Sequence, residues 1–395
     1  MKNINSHTFY SCSIVLLCYA NITLAVETKG QLGFDVRQFT EKNETQLSGY
    51  GDAELYWESE AGNDSIIFKA FSRIDSVDDN RTHNDIREFN WLHYADAWEL
   101  RIGIEKVFWG VTESAHLVDI INQTDSVESV DGEEKLGQPM IKWSGINDWG
   151  VVDIFVLPYF RERTFNSEET YLGPQIFIDT NNATYESSRE EKHTDFAVRY
   201  SQSLSIWDIG VSYFSGTSRE AILTPSINTQ GEAIFTPHYQ LITQSALDVQ
   251  ATIDAWLWKV EAIHQTNDTQ DYSAMSGGFE YTLTGIADSN ADLGLLTEFH
   301  YDSRDDLATT PLQKDIFLGA RLTLNDVQDT SLLFGVVQDM DYSDSRFAFI
   351  EASRRFGDSW VASLDARIYQ SNTPIDPIYL FDNSDHITLD VTWFF

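Results

Sequence analysis

Apolar and polar residues alternate with a period of two along most of the chain, from Gln31 to its last residue, and helical periodicity is nearly absent. In residues 98–106, Trp98, Leu100, Ile102 and Ile104 fall on one side and Glu99, Arg101, Gly103 and Glu105 on the other. Residues 207–213, 318–324 and 360–368 alternate in the same way, and the chain ends with Ile387, Leu389, Val391, Trp393 and Phe395 on a single face. Such runs reach about 9–11 residues, the length a tilted strand needs to cross a bilayer. Strands of soluble sandwiches are nearer 5–6 residues. The pattern predicts about eighteen strands, near 30–39, 47–57, 65–74, 86–95, 98–106, 140–145, 150–160, 194–202, 206–215, 239–252, 255–266, 273–283, 292–301, 314–324, 330–338, 346–355, 359–369 and 386–395. Segments 140–145 and 273–283 are the weakest, and merging or splitting either gives about sixteen or twenty strands.

Two regularities organise these strands. The long connections, near 107–139, 161–193, 216–238, 302–313 and 370–385, all follow odd-numbered strands, whereas those after even strands are short, such as 202–205 and 356–358. Tryptophans gather at the short-turn end: Trp98, Trp149, Trp207, Trp256 and Trp360 begin odd strands, and Trp57, Trp143 and Trp393 stand near the ends of even ones. An indole prefers the headgroup interface, so one aromatic girdle is expected at that end. The expected fold is all-β, a transmembrane antiparallel up-and-down β-barrel with short periplasmic turns and long extracellular loops, formed as one domain over 26–395.

Composition narrows the functional classes. Of 395 residues, 62 are Asp or Glu and 26 are Lys or Arg, so a nucleic-acid partner is excluded for want of clustered bases. The chain lacks the repeated runs of about 20 apolar residues that a helical membrane bundle needs. Residues 1–25 read as a secretory signal peptide: Lys2, an apolar core at 13–20 too short to span, and Thr23-Leu24-Ala25 as a small-residue cleavage site. Both cysteines, Cys12 and Cys18, lie within it, so the expected mature chain has no disulfide, thiol nucleophile or zinc–thiolate site.

The C-terminal run Asp390-Val391-Thr392-Trp393-Phe394-Phe395 resembles the assembly signal of bacterial outer-membrane β-barrels. With the signal peptide and the loop pattern, the mature chain is similar to porin-type barrels. Segments 108–113, 119–125 and 158–163 resemble landmarks of a poorly characterised porin-like group. The resemblance implies location in the outer membrane of a Gram-negative bacterium, contact with its lipid and lipopolysaccharide, and delivery to the barrel-assembly machinery through Phe395. It implies passive diffusion of small polar solutes or ions, with no cofactor, metal or enzymatic activity. The N-terminal heptads of coiled-coil trimer porins and the large plug of TonB-dependent receptors have no counterpart here.

With apolar faces outward, Arg37, Arg73, Glu99, Arg101, Glu105, Arg199, Arg321, Arg355 and Arg367 are expected to line the interior, in the company of Lys259, Glu261, Glu280, Glu298 and Glu351. A barrel this wide holds an aqueous channel unless a loop fills it. Segment 107–139 is the candidate constriction, because its middle, 116–121, is apolar enough to fold against a surface. Glu113, His116, Asp119 and Asp125 are its candidate functional residues, and the acids at 128, 131, 133 and 134 would favour cations or neutral solutes. An extracellular cap is the alternative placement. Loop 161–193, with Arg161, Arg163 and Arg189, is a second candidate. Other function classes are a non-conducting barrel used in binding or adhesion, and a hydrolase built on Ser114, His116 and Asp119, whose nearness in sequence does not establish triad geometry.

Overall fold

The structure is a computed structural model that describes residues 26–173 and 176–395; the expected signal peptide at 1–25 lies outside the described residues. Eighteen antiparallel strands form one sheet. In chain order they are β1 (Val26–Phe39), β2 (Glu44–Glu58), β3 (Asp64–Asp75), β4 (His83–Ala95), β5 (Trp98–Glu105), β6 (Gln138–Asn147), β7 (Gly150–Leu157), β8 (Asp195–Leu204) and β9 (Trp207–Thr217). The second half comprises β10 (Leu241–Ile253), β11 (Trp256–Thr266), β12 (Asp271–Leu283), β13 (Asp292–Asp302), β14 (Asp315–Thr323), β15 (Ser331–Asp339), β16 (Arg346–Phe356), β17 (Trp360–Gln370) and β18 (His386–Phe394). Each strand pairs with its neighbours in sequence, and β1 also pairs with β18, from Gln31 opposite Phe394 to Phe39 opposite His386. That seam closes the barrel and leaves the sheet no edge. Phe395 extends it, exchanging two 3.0 Å backbone hydrogen bonds with Gly30.

The alternation read in the sequence is the in–out pleat. On β9, Val211 and Tyr213 are exposed on the outer face while Gly210, Ser212 and Phe214 are buried inside. Four of the connections at the short-turn end are tight two-residue turns, and in two of them Ser205 and Asp254 adopt positive φ of 59° and 53°, the backbone that matches a turn to strand twist. Trp98, Trp149, Trp207, Trp256, Trp360 and Trp393 are exposed at that end, as a girdle requires. All long connections leave from the opposite end.

Two features depart from simple alternation. Residues 216–238, read as loop, contain a hairpin of Ile222–Ile227 with Ala233–Tyr239, joined by Thr184–Tyr185, so β10 begins at Leu241 rather than 239. More consequentially, many inward positions on β6–β12 are apolar, among them Met140, Phe155, Leu157, Phe214, Ile242 and Ile263, and all of these are buried. In a water-filled interior that surface needs a cover, which the segment between β5 and β6 provides.

Candidate functional site: the interior loop and the gap it leaves

Residues 106–137 leave β5, cross the barrel interior and return to β6. Buried Asn122 ties the base of the loop: its side-chain amide donates to the carbonyls of Glu105 (2.9 Å) and Leu136 (2.8 Å), and its Oδ1 accepts from the Val107 N–H at 2.9 Å. Trp109, Val118, Ile120 and Ile121 then pack on the apolar inner wall of β6–β12. Trp109 lies edge-to-face on Phe155 at 5.5 Å, with the Arg199 guanidinium over its ring at 5.1 Å. The apolar middle of the loop has thus found an apolar surface inside the barrel.

Two wall glutamates peg the far stretch. Glu261 of β11, with no exposed surface, accepts from the N–H groups of Val111 (2.6 Å), Thr112 (3.0 Å) and Val118 (3.2 Å) and from the Thr112 hydroxyl (2.9 Å). Glu298 of β13 accepts from the N–H groups of Glu113 (2.7 Å) and Ser114 (3.0 Å) and from the Ser114 hydroxyl (2.6 Å). Charge-assisted bonds of this kind are the strong ones. The next contact is Glu113 with Arg321 of β14 at 2.6 Å. Since β14 lies halfway round the 18-strand barrel from β5, the loop spans the full width of the interior.

The returning stretch is a hairpin, closed where Thr124 bridges Lys135, and its side chains meet the opposite wall. Asp125 pairs with Arg87 of β4 at 2.6 Å, and Glu128 with Arg73 of β3 at 2.8 Å. Asp131 pairs with Arg367 of β17 at 2.9 Å. Behind them, Asp35 of β1 holds Arg73 (2.5 Å) and Arg81 (3.3 Å), and the Arg81 Nε donates to the Val127 carbonyl at 2.9 Å. A β-bulge aims Arg87. The β3–β4 register shifts at Lys69/Ala70, which leaves Arg87 as the extra residue, turned inward beside Glu88. The second long loop braces this hairpin, with Thr164 donating to Asp125 at 2.8 Å and Arg163 donating to Ser126 at 2.8 Å.

Within the loop, His116 stands edge-to-face on Phe108 at 4.8 Å and 3.8 Å from Glu133. Burial alone would push the imidazole down, but Glu133, Glu261 and Asp119 around it hold it above its ordinary value. The same His116 contact draws the Glu133 carboxyl below its usual range. Asp119 is buried, which raises it, although Lys135 sits 3.3 Å away.

The expected interior residues therefore divide into groups. Arg321, Arg367, Glu113 and His116 border the gap between the loop and β14–β17. Arg73 and Asp125 anchor the loop, Asp119 ties it internally through Lys135 and the Trp109 N–H, and Arg199 lies beneath it, paired with Asp248 at 2.6 Å. Arg37 is buried higher on β1, donating to Thr388 and Gln46. Glu99, Arg101 and Glu105 form a chain along β5, with Arg101 2.8 Å from Glu105 and 3.8 Å from Glu99. Arg355 stands at the short-turn rim, 3.5 Å from Asp329. Ser114, His116 and Asp119 are not brought together, because Ser114 turns to Glu298 and to His300 (2.9 Å), and the other two face Glu133 and Lys135. Sequence reasoning does not single out Arg81 and Arg87. The phase of outward apolar residues slips between Ile86 and Phe89, and that slip marks the bulge. His83, Asp125 and Glu128 also converge with metal-ligand spacing, but Arg87 and Arg73 already neutralise both carboxylates.

The gap has a defined border. On the loop it runs along Glu113, His116, Glu133 and Asp131; on the wall, Arg321, Leu333, Glu351 and Asp365 follow one another in register across β14–β17. Its most exposed charged side chains are Glu133 (65 %) and Glu351 (43 %), whereas Arg367 is only 9 % exposed, drawn into pairs with Asp131, Glu351 and Asp365. Arg321, 38 % exposed and held by Glu113, is the principal accessible base.

No protein-family model matches the sequence, and comparison with curated proteins finds no match. Solved structures do align. Pseudomonas aeruginosa OccD3 (OpdP) superposes with a TM-score of 0.53 at 10 % identity, over 94 % of this chain and 91 % of that one. A mutant of the Rh. blastica porin aligns at a TM-score of 0.43 and 12 % identity, over 94 % of this chain and 100 % of that one. OmpT of Vibrio cholerae aligns at 0.44 and 9 % identity, over 94 % and 97 %. With its closed 18-strand sheet and its match to OccD3, the chain has a porin-like β-barrel fold of the outer-membrane type.

Proposed function

We propose that this protein is a passive diffusion channel of a Gram-negative outer membrane, that residues 106–137 form its constriction, and that the constriction favours small cations and neutral polar solutes over anions. The observation that carries this reading is the loop crossing the whole interior, pegged by Glu261 and Glu298, to leave a gap on which carboxylates outweigh accessible bases. The narrowest ring, rather than total charge, sets ion selectivity. At this ring Glu133 and Glu351 are exposed while Arg367 is buried in pairs. The apolar outer face and tryptophan girdle fit insertion in lipid, and Phe395 at the seam fits its role as the signal read by the assembly machinery.

Planar-bilayer recording in a KCl gradient tests the proposal. Stepwise conductance with a reversal potential on the potassium side is expected, and deletion of residues 113–134 should raise the conductance. A folded barrel that never conducts would overturn the channel reading in favour of a binding barrel. Conductance unchanged by the deletion would move the narrowing elsewhere.

A further inference from the structure

The inner wall is apolar in two places, and only one is fully covered. Over β6–β12 the interior apolar side chains are buried beneath the loop. Over β14–β17 a second cluster keeps Phe317 and Val337 buried but leaves Leu333, Phe347 and Phe349 only partly covered. These rings form a connected series. Phe381, in the loop after β17, stacks on Tyr369 at 5.3 Å; Tyr369 meets Phe347 at 6.0 Å; and Phe349, two residues further along β16, lies parallel to Phe317 at 6.1 Å. The series thus runs along β16–β17 from the long-loop end toward the gap. At its foot, Glu351 follows Phe349 on β16 and lies opposite Leu333 in register.

Apolar side chains left in contact with water inside a channel carry a standing cost, which a solute covering them would relieve. Such a solute next meets Glu351, which shares the largely buried Arg367 with Asp131 and Asp365, and the exposed carboxylate of Glu133; three carboxylates on one guanidinium, itself 5.6 Å from the Phe349 ring, leave net negative charge at the foot of the strip. We propose that the strip formed by Phe347, Phe349 and Leu333 is a binding site for solutes that combine an apolar body with a positive charge, that is, alkyl- or arylammonium ions, which slide along it with the charge leading toward Glu351. This rests on the channel reading and names the solute class for that same gap. An apolar anion would meet Glu351 and Glu133 unfavourably, and a neutral sugar would use the rings without the carboxylates.

The test is current block in single channels. Ethyl-, butyl-, hexyl- and benzylammonium are added on the long-loop side, with hexanoate and glucose as controls. Residence time should lengthen by about two- to fourfold per added methylene, as partial to full burial of a CH2 group implies. The variants F347S and F349S should each flatten that dependence, bringing hexylammonium close to ethylammonium. The chain-length series on the unaltered protein is decisive even if a variant fails to assemble. Residence times independent of chain length, in a barrel that conducts KCl, would overturn the strip and leave the channel reading standing. Block by hexanoate equal to that by hexylammonium would overturn the cationic assignment, and block by glucose alone would overturn the apolar-cation assignment. A folded barrel that passes no ion at all would sink both proposals together.

Discussion

Removing the glutamate pegs should free the loop in a strongly non-additive way. Glu261 takes four hydrogen bonds from segment 111–118 and Glu298 takes three from residues 113–114, both from buried positions. Glu261→Ala removes one acceptor group and strands three N–H donors, since the Thr112 hydroxyl also reaches the Ala115 carbonyl. Water can enter the space a carboxylate leaves, so the loss sits at the lower end of the range for bonds to a charged group, about 1.5 kcal/mol each, or roughly 4–5 kcal/mol in all. At about 1.4 kcal/mol per decade, release of that stretch becomes more frequent by about a thousandfold or more. The loop does not detach, because Trp109, Val118, Ile120 and Ile121 remain packed and the ion pairs to Arg73 and Arg87 remain made. A single variant should therefore show the parent conductance interrupted by brief larger openings. The double variant E261A/E298A should show a raised mean conductance with strong open-channel noise, while heat-modifiable migration on gels confirms a folded barrel. Glu261→Gln keeps one acceptor oxygen and should fall between parent and alanine. A double variant with parental conductance and noise would refute the idea that these glutamates hold the constriction in place.

Four further outcomes follow from the same geometry. Arg321→Gln removes the most accessible base at the gap and leaves Glu113 only Lys259, 3.6 Å away, so the reversal potential in a KCl gradient should move further toward potassium; no movement would place the selective ring elsewhere. His116 is held above its ordinary value of 6.5, so its contact with Glu133 contributes fully below that value and is lost as pH rises through the raised one; Glu133, drawn below its ordinary 4.5, loses its share only as pH falls through the lowered value. Open-channel noise should thus be least between these limits and grow on the alkaline side, and His116→Gln should abolish the alkaline change. Trp109→Ala empties a buried site against Phe155 and should cost about 3–5 kcal/mol, seen as faster amide exchange across 107–122 with the strand amides still protected. Arg87→Ala leaves buried Asp125 without its guanidinium and should cost about 3–5 kcal/mol, seen as faster exchange at 124–135; unchanged exchange there would mean that the bulge does not serve the loop.

The barrel is legible in the sequence because lipid imposes a strict rule: any strand facing acyl chains must be apolar at every second position for its whole length. All the expected spans correspond to observed strands, including the weakly patterned 140–145 and 273–283. Period-two reasoning cannot tell an inward apolar residue from chance on the polar face. Phe155, Phe214 and Ile263 therefore give no warning that the inner wall of β6–β12 carries an apolar patch. The hint lies instead in the loop, where 116–121 is too apolar to stand in water, and that does point to a surface for it to meet. The partners of its charges are less accessible. Asp125 and Glu128 find Arg87 and Arg73 nearly 40 and more than 50 residues away, through a bulge that sequence shows only as a slipped phase. The same distinction explains why the set of inward charges does not identify the gap. Arginines at positions 73, 199 and 321 share one inward parity pattern, yet one anchors the loop, one is sealed beneath it and one faces the opening. Parity assigns a side chain to the interior; the path of the loop decides whether it meets solute. The contacts at Glu261, Glu298, Arg73 and Arg367 fix that path, so on the channel reading proposed above permeation should depend on where those four wall residues hold the loop more than on the count of charges around the wall.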